Sequence, residues 1–120
     1  MSEPWSLEGS TPYVYIVIRR DLSVAQQLVQ GLHALYASAG SFGTAPGAHF
    51  ALCAVKDERA LLELARKLDE AQTDYALFNE PDPLEVGGGP TGYSALATCP
   101  LWGAQREPLK GVALWEAPGV

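Results

Sequence analysis

The sequence predicts a three-layer α/β/α domain on a four-stranded mixed sheet whose last strand runs antiparallel. Three observations lead there. Apolar runs rich in β-branched and aromatic residues recur at Tyr13–Ile18, His49–Val55, Asp74–Asn79 and Gly92–Ala97, the composition of strands covered by neighbours. Segments with helical periodicity separate the first three runs. Only a loop separates the third run from the fourth, so the last strand can turn back antiparallel.

Residues 1–12 read as a loose arm, polar and interrupted by proline, and residues 13–120 as a single domain. The run YVYIVI predicts a strand buried on both faces, ended by the polar Arg19-Arg20-Asp21. Ser23 to Ala39 predicts a helix with Ala25, Leu28, Leu32, Leu35 and Tyr36 as its core face and Gly40 as its stop. SFGTAPGA, Ser41 to Ala48, predicts a flexible loop, and HFALCAV a second buried strand. Asp57 is placed to cap a helix reaching Ala71, with Leu61, Leu64, Ala65 and Leu68 inward. DYALFN and the run from Gly92 complete the sheet. The two strand-helix-strand units predict right-handed crossovers and parallel pairs. The tail from Leu101 carries no clear element, but its Trp102 and Trp115 are expected to pack back on the domain.

Composition narrows the function classes. At 120 residues, 48% hydrophobic and 18% charged, the chain is an ordinary globular length and mixture. No apolar run approaches the roughly 18 residues of a membrane span, and no basic-then-apolar leader opens the chain. The two cysteines are too few for a disulfide framework, so a reduced, cytoplasmic protein is expected. Cys53, inside an apolar run, reads as a small buried hydrophobe. With eight Lys and Arg against fourteen Asp and Glu, the net charge of −6 opposes the phosphate contacts on which RNA binding depends.

The chemistry-bearing residues fall into two groups. Gln26, Gln30 and His33 share one helical stripe. Gln26 also completes a capping box with Ser23, and Gln30 and His33, taken alone, read first as ordinary surface or satisfied core residues. Asp82 lies in Glu80-Pro81-Asp82-Pro83, past a strand end, where α/β sheets commonly place ligands and where Asp also makes turns for local reasons. Gly87-Gly88-Gly89-Pro90-Thr91-Gly92 could offer backbone N–H groups to a phosphate. It lacks the lysine of a P-loop, and no G-x-G-x-x-G follows a strand. The isolated His33 and His49 lack metal-site spacing, so neither metal nor cofactor is expected.

Taken together, these segments resemble the type II peptidyl-tRNA hydrolases. Arg19-Arg20-Asp21-Leu22 is similar to that family's turn after the first strand, and Gln30 and His33-Ala34 fall on its Q-x-x-H-A helix core. Asp82, Pro90 and Ser94 through Pro100 fall on its loop aspartate, its proline and its last strand. The resemblance spans Tyr13 to Pro100. It implies a four-stranded mixed sheet between helices and ester hydrolysis of peptidyl-tRNA or an N-blocked aminoacyl-tRNA. Asp82, Gln30 and Ser94 would then be catalytic, and Gln26, His33, Arg20 and Thr91 substrate-binding. The implied partner is a tRNA 3′ end carrying its peptide, with no membrane, and a homodimer is compatible. The sequence departs from the family in three places: Gln26 replaces its lysine, Val86 replaces a loop threonine, and Ser94 replaces the strand threonine. Losing the lysine removes a cation that could stabilise developing negative charge. The alternatives are a catalytically silent binding or interaction domain of the same fold, and a relative acting on another acylated substrate.

Overall fold

Strand β1 (Tyr13–Arg19) organises the sheet, because its β-branched run presents apolar side chains to both faces. The structure, a computed structural model, describes residues 11–84 and 88–117, so most of the expected arm, with Val86 and Gly87, lies outside it. After β1 come α1 (Val24–Phe42), β2 (His49–Val55), α2 (Glu58–Glu70), β3 (Tyr75–Glu80) and β4 (Gly92–Thr98). The strands lie in the order β2-β1-β4-β3. β1 and β2 pair in parallel from Tyr13↔His49 to Arg19↔Val55. β4 is antiparallel to both β1 and β3.

The mixed sheet is as the sequence predicts, but only one of the two expected parallel pairs forms. β2 and β3 run in the same direction at opposite edges, because β4 enters between β1 and β3. The first connection moves one way along the sheet over one face, and the second moves the other way over the other face. Opposite displacement on opposite faces gives both crossovers the same hand.

The two faces hold separate cores. Tyr15 and Val17 pack with Leu61, Leu64 and Leu68 of α2, whereas Val14, Ile16 and Ile18 pack with Ala34 of α1. α2 matches its expected amphipathic pattern, and Asp57 caps it, Oδ1 accepting from the Ala60 N–H at 3.0 Å.

α1 departs from its expected pattern in two ways. It passes through Gly40 to Phe42 and ends at Gly43, whose φ of 80° suits a glycine and whose N–H donates to Ala39. It is also turned on its axis. The buried residues are Gln27, Gln30, Gly31, Ala34 and Ser38, while Leu28, Leu32 and Tyr36 face outward. The reason is close approach: a Cβ at Gly31 would lie 3.0 Å from Ile18 Cγ2 and 3.2 Å from Ile16 Cγ2. A small, hydrogen-bonding face seats the helix nearer the sheet than leucines could.

β2 is an edge strand with His49 and Phe50 exposed, not a strand buried on both faces. The tail supplies what the sequence left unassigned. Leu101 bridges Tyr13, a 3-10 turn spans Gly103–Leu109, and Leu114 bridges Cys53 on the outer edge of β2. Arg106 lies 3.6 Å above the Tyr13 ring and donates to the Tyr15 hydroxyl at 2.8 Å. Trp115 packs against the α1-side core as expected and donates from Nε1 to Gln27 Oε1 at 2.8 Å. Both cysteines are free, Cys53 buried and Cys99 half-buried.

Candidate functional site

The C-terminal end of β1 and the N-terminal end of β4 meet around Arg19. Its side chain is buried and bidentate to Asp21, Nε to Oδ1 at 2.9 Å and Nη2 to Oδ2 at 2.8 Å. Nη1 donates to the carbonyls of Thr91, at 2.7 Å, and Tyr93, at 3.0 Å. The hydrogen bond to Asp21 raises the Arg19 pKa against the opposing effect of burial, and the charges of Asp21, Glu58 and Asp57 add to the rise. The guanidinium is committed to holding β4, which leaves it little capacity for an incoming phosphate.

Glu58, in the first turn of α2, fastens the same strand end by accepting the Tyr93 N–H at 2.8 Å. Between these ties sits Gly92 with φ 80°, where a Cβ would run into the Glu58 carboxylate. Thr91 closes the loop behind it. Its hydroxyl donates to the Asp82 carbonyl at 2.8 Å and accepts from the Leu84 N–H at 3.2 Å. Arg19, Asp21, Leu22 and Leu84 line a recess of about 170 Å³ with Gly88 to Thr91.

Of the expected site residues, Gln30 and Ser94 come together: Ser94 Oγ donates to Gln30 Oε1 at 2.7 Å. A bulge makes this contact. Asn79 pairs with Tyr93 and Phe78 with Ala95, so Ser94 is the extra residue, turned toward α1. Both side chains lie in the interior, Gln30 at 1% and Ser94 at 0% exposure. Gln30 Nε2 reaches Gln26 Oε1 at 3.5 Å, a long contact. The Gln26 N–H donates to Ser23 Oγ at 3.4 Å, the Ser23 half of the expected capping box. His33 is exposed at its edge and stacks on Phe78, centroids 4.7 Å apart and planes within 4°.

Asp82 is exposed on its turn, with its N–H donating to Glu80 Oε1 at 3.1 Å and its carbonyl held by Thr91. Its contacts run to the loop, not to the Gln30–Ser94 pair. Arg20 is exposed, and its backbone carbonyl accepts from Gln27 Nε2 at 3.3 Å. Among the described residues no group of three His, Cys, Asp or Glu side chains could hold a metal. None of their helices is long and apolar enough to cross a membrane.

Two structurally important residues escape the sequence reading, Gln27 and Glu58, and Arg19 enters it only as part of the turn after the first strand. A signal for Gln27 exists, since Gln27, Gln30, Ala34 and Ser38 recur at helical spacing as a second stripe. Nothing local marks Arg19 as interior or Glu58 as the anchor of a distant strand.

No family model and no curated protein matches the chain. Among solved structures it is similar to a protein of unknown function, Atu0240, from Agrobacterium tumefaciens strain C58. The TM-score is 0.65 at 14% identity, over 88% of this chain and 98% of that one. At such identity the likeness concerns the fold, and the fold shared is a four-stranded mixed sheet with helices.

Proposed function

We propose that this chain is a binding domain resembling the type II peptidyl-tRNA hydrolases in fold that does not turn over an acyl ester. The observation that carries the reading is the Ser94–Gln30 hydrogen bond. Two side chains expected to handle substrate satisfy each other inside the protein at 0% and 1% exposure. Buried groups so paired stabilise the native state, and breaking the pair to meet a ligand would leave polar atoms unsatisfied. The surrounding charge supports the same reading. Arg19 is spent on Asp21 and two carbonyls, Gln26 stands where a lysine would serve hydrolysis, and Glu80 and Asp82 add negative charge beside the recess. Such a rim repels an RNA end.

One observation favours the hydrolase as a second reading. Asp82 is exposed at the end of the sheet, and among the described residues its carboxylate has no hydrogen-bond or ion-pair partner within contact distance, so it could orient a water. A single assay separates the two. Purified protein is incubated with N-acetyl-aminoacyl-tRNA, and ester loss is compared with the uncatalysed rate and with that of Asp82→Asn. The binding reading expects all three rates to coincide. Turnover that Asp82→Asn reduces by roughly 100-fold would establish the hydrolase instead.

A further inference from the structure

The inverted seating of α1 leaves large apolar side chains in water. Val24, Leu28, Leu32 and Tyr36 are 40%, 38%, 65% and 85% exposed. They stand four residues apart and form one continuous i±4 ridge about 18 Å long. Phe50, on edge strand β2 ahead of the stretch the tail covers, is 64% exposed beside it. Between Phe50 and the ridge lies a cavity of about 590 Å³, lined by Leu32, Leu35, Tyr36 and Ala39 and closed by the turn at Gly47. A scattered exposed leucine needs no explanation, but a ridge and an adjoining apolar hollow do.

We propose that this face binds a second copy of the same chain, α1 against α1 about a twofold axis. Three features select a second copy over another partner. First, a twofold contact uses the same surface on both sides, and i±4 ridges interdigitating with i±4 ridges are the packing class in which two identical helix faces mesh, crossing near −50°. Second, α1 contains no Asp, Glu, Lys or Arg in any of its 19 residues. A chain of net charge −6 repels its own copy most weakly where its surface carries no charge. Third, the size fits. The exposed ridge and Phe50 present on the order of 500 Å² of apolar surface, a fitting core for an interface of about 800 Å² per partner. The cavity supplies the concavity that a protruding aromatic such as Tyr36 of the other copy needs as a socket. The inference is independent of the proposed function, because the cavity and the Leu32–Tyr36 half of the ridge lie by Val14 and Phe50 and share no residue with the recess at Arg19.

Sedimentation velocity over a hundredfold concentration range in the micromolar region tests it on the full chain. The expected result is a reversible dimer that Leu32→Glu and Tyr36→Ser each weaken by about 30-fold or more, the mark of an interface hot spot. Leu62→Glu, an exposed position on α2, is expected to leave the dimer intact. Circular dichroism of each variant reports folding, and the outward position of Leu32 predicts native spectra. A chain that stays monomeric throughout would overturn the proposal, as would a dimer that Leu32→Glu leaves unchanged. A Leu32→Glu variant that fails to fold would overturn it by showing the ridge to be core. So would a monomer that instead binds phosphatidylcholine vesicles.

Discussion

Ser94 carries more of this structure than a serine usually does. Removing its hydroxyl leaves Gln30 Oε1 buried without its donor, and an orphaned buried acceptor costs about 1–3 kcal/mol. Ser94→Ala is therefore expected to lower stability by that amount in urea unfolding, whereas Thr91→Ser, which keeps its hydroxyl, is expected to change little. Tyr75 gives a residue-scale prediction in pH. Burial first, and then donation to Asp69 Oδ1 at 2.8 Å beside that negative charge, push its pKa up to about 12. The raised value means that the native state favours the neutral phenol. Its contribution to stability is full below the unfolded value of about 10 and is lost as pH rises through 12. Ultraviolet difference titration should find a phenol ionising near 12 that Tyr75→Phe removes, and Asp69→Asn should lower it only part of the way, because burial is the larger cause. The sequence made Ser94 and Gln30 visible as a pair worth naming. The interior position of Ser94 was not legible because it depends on a bulge created by pairing with β3, and that of Gln30 because it depends on which face of α1 meets the sheet.

Glycines separate local from tertiary demands at the scale of the element. Gly40 sits in α1 with nothing within 4 Å of a would-be Cβ, so Gly40→Ala is expected to stabilise by roughly 0.5–1 kcal/mol. Gly31→Ala, in the same helix, must push Ile16 and Ile18 aside and is expected to destabilise by roughly 1–3 kcal/mol. Gly92→Ala combines a left-handed φ with a clash against Glu58 and is expected to cost at least about 1–2 kcal/mol. Thermal melts of the three variants give the ranking directly. α2 was legible because its apolar face is also its packed face. α1 misled because helical periodicity reports where the leucines are, not which face meets the sheet. Its leucine stripe and its Gln27–Ser38 stripe are both periodic, and Gly31 with Ala34 decides between them by allowing closer contact.

For the whole molecule, element order and sheet class follow from local composition, while strand order does not. Nothing in β2 or β3 announces that they will sit at opposite edges, since that follows from where β4 inserts. The tail had no readable element because it is built from a short 3-10 turn and two single bridges, Leu101 to Tyr13 and Leu114 to Cys53, none of which needs a periodic run. Those bridges matter energetically. Ala54 N–H donates to Ala113 at 3.0 Å and Trp115 N–H to Leu52 at 2.8 Å, covering half of an otherwise open edge. Trp115→Ala removes the indole from the core and from Gln27, and is expected to cost about 2–4 kcal/mol in chemical denaturation. The same variant is expected to aggregate sooner in light scattering as the β2 edge opens.

The order β2-β1-β4-β3 also has a temporal meaning. The two inner strands, β1 and β4, are the first and the last of the sheet to leave a ribosome, separated by some seventy residues of chain. Until Thr98 has been made, β1 has one bare edge, and β3 has no partner at all. Neither half of the chain can close the sheet alone, so the four-stranded sheet is complete only once β4 is in place. Folding must wait for β4 to slot between strands already present, a long loop closure of the kind that slows a domain this small. A nascent chain stalled before Gly92 therefore holds unpaired, strongly apolar strands in the open, and it is at this stage, rather than in its finished form, that the protein has most need of a chaperone.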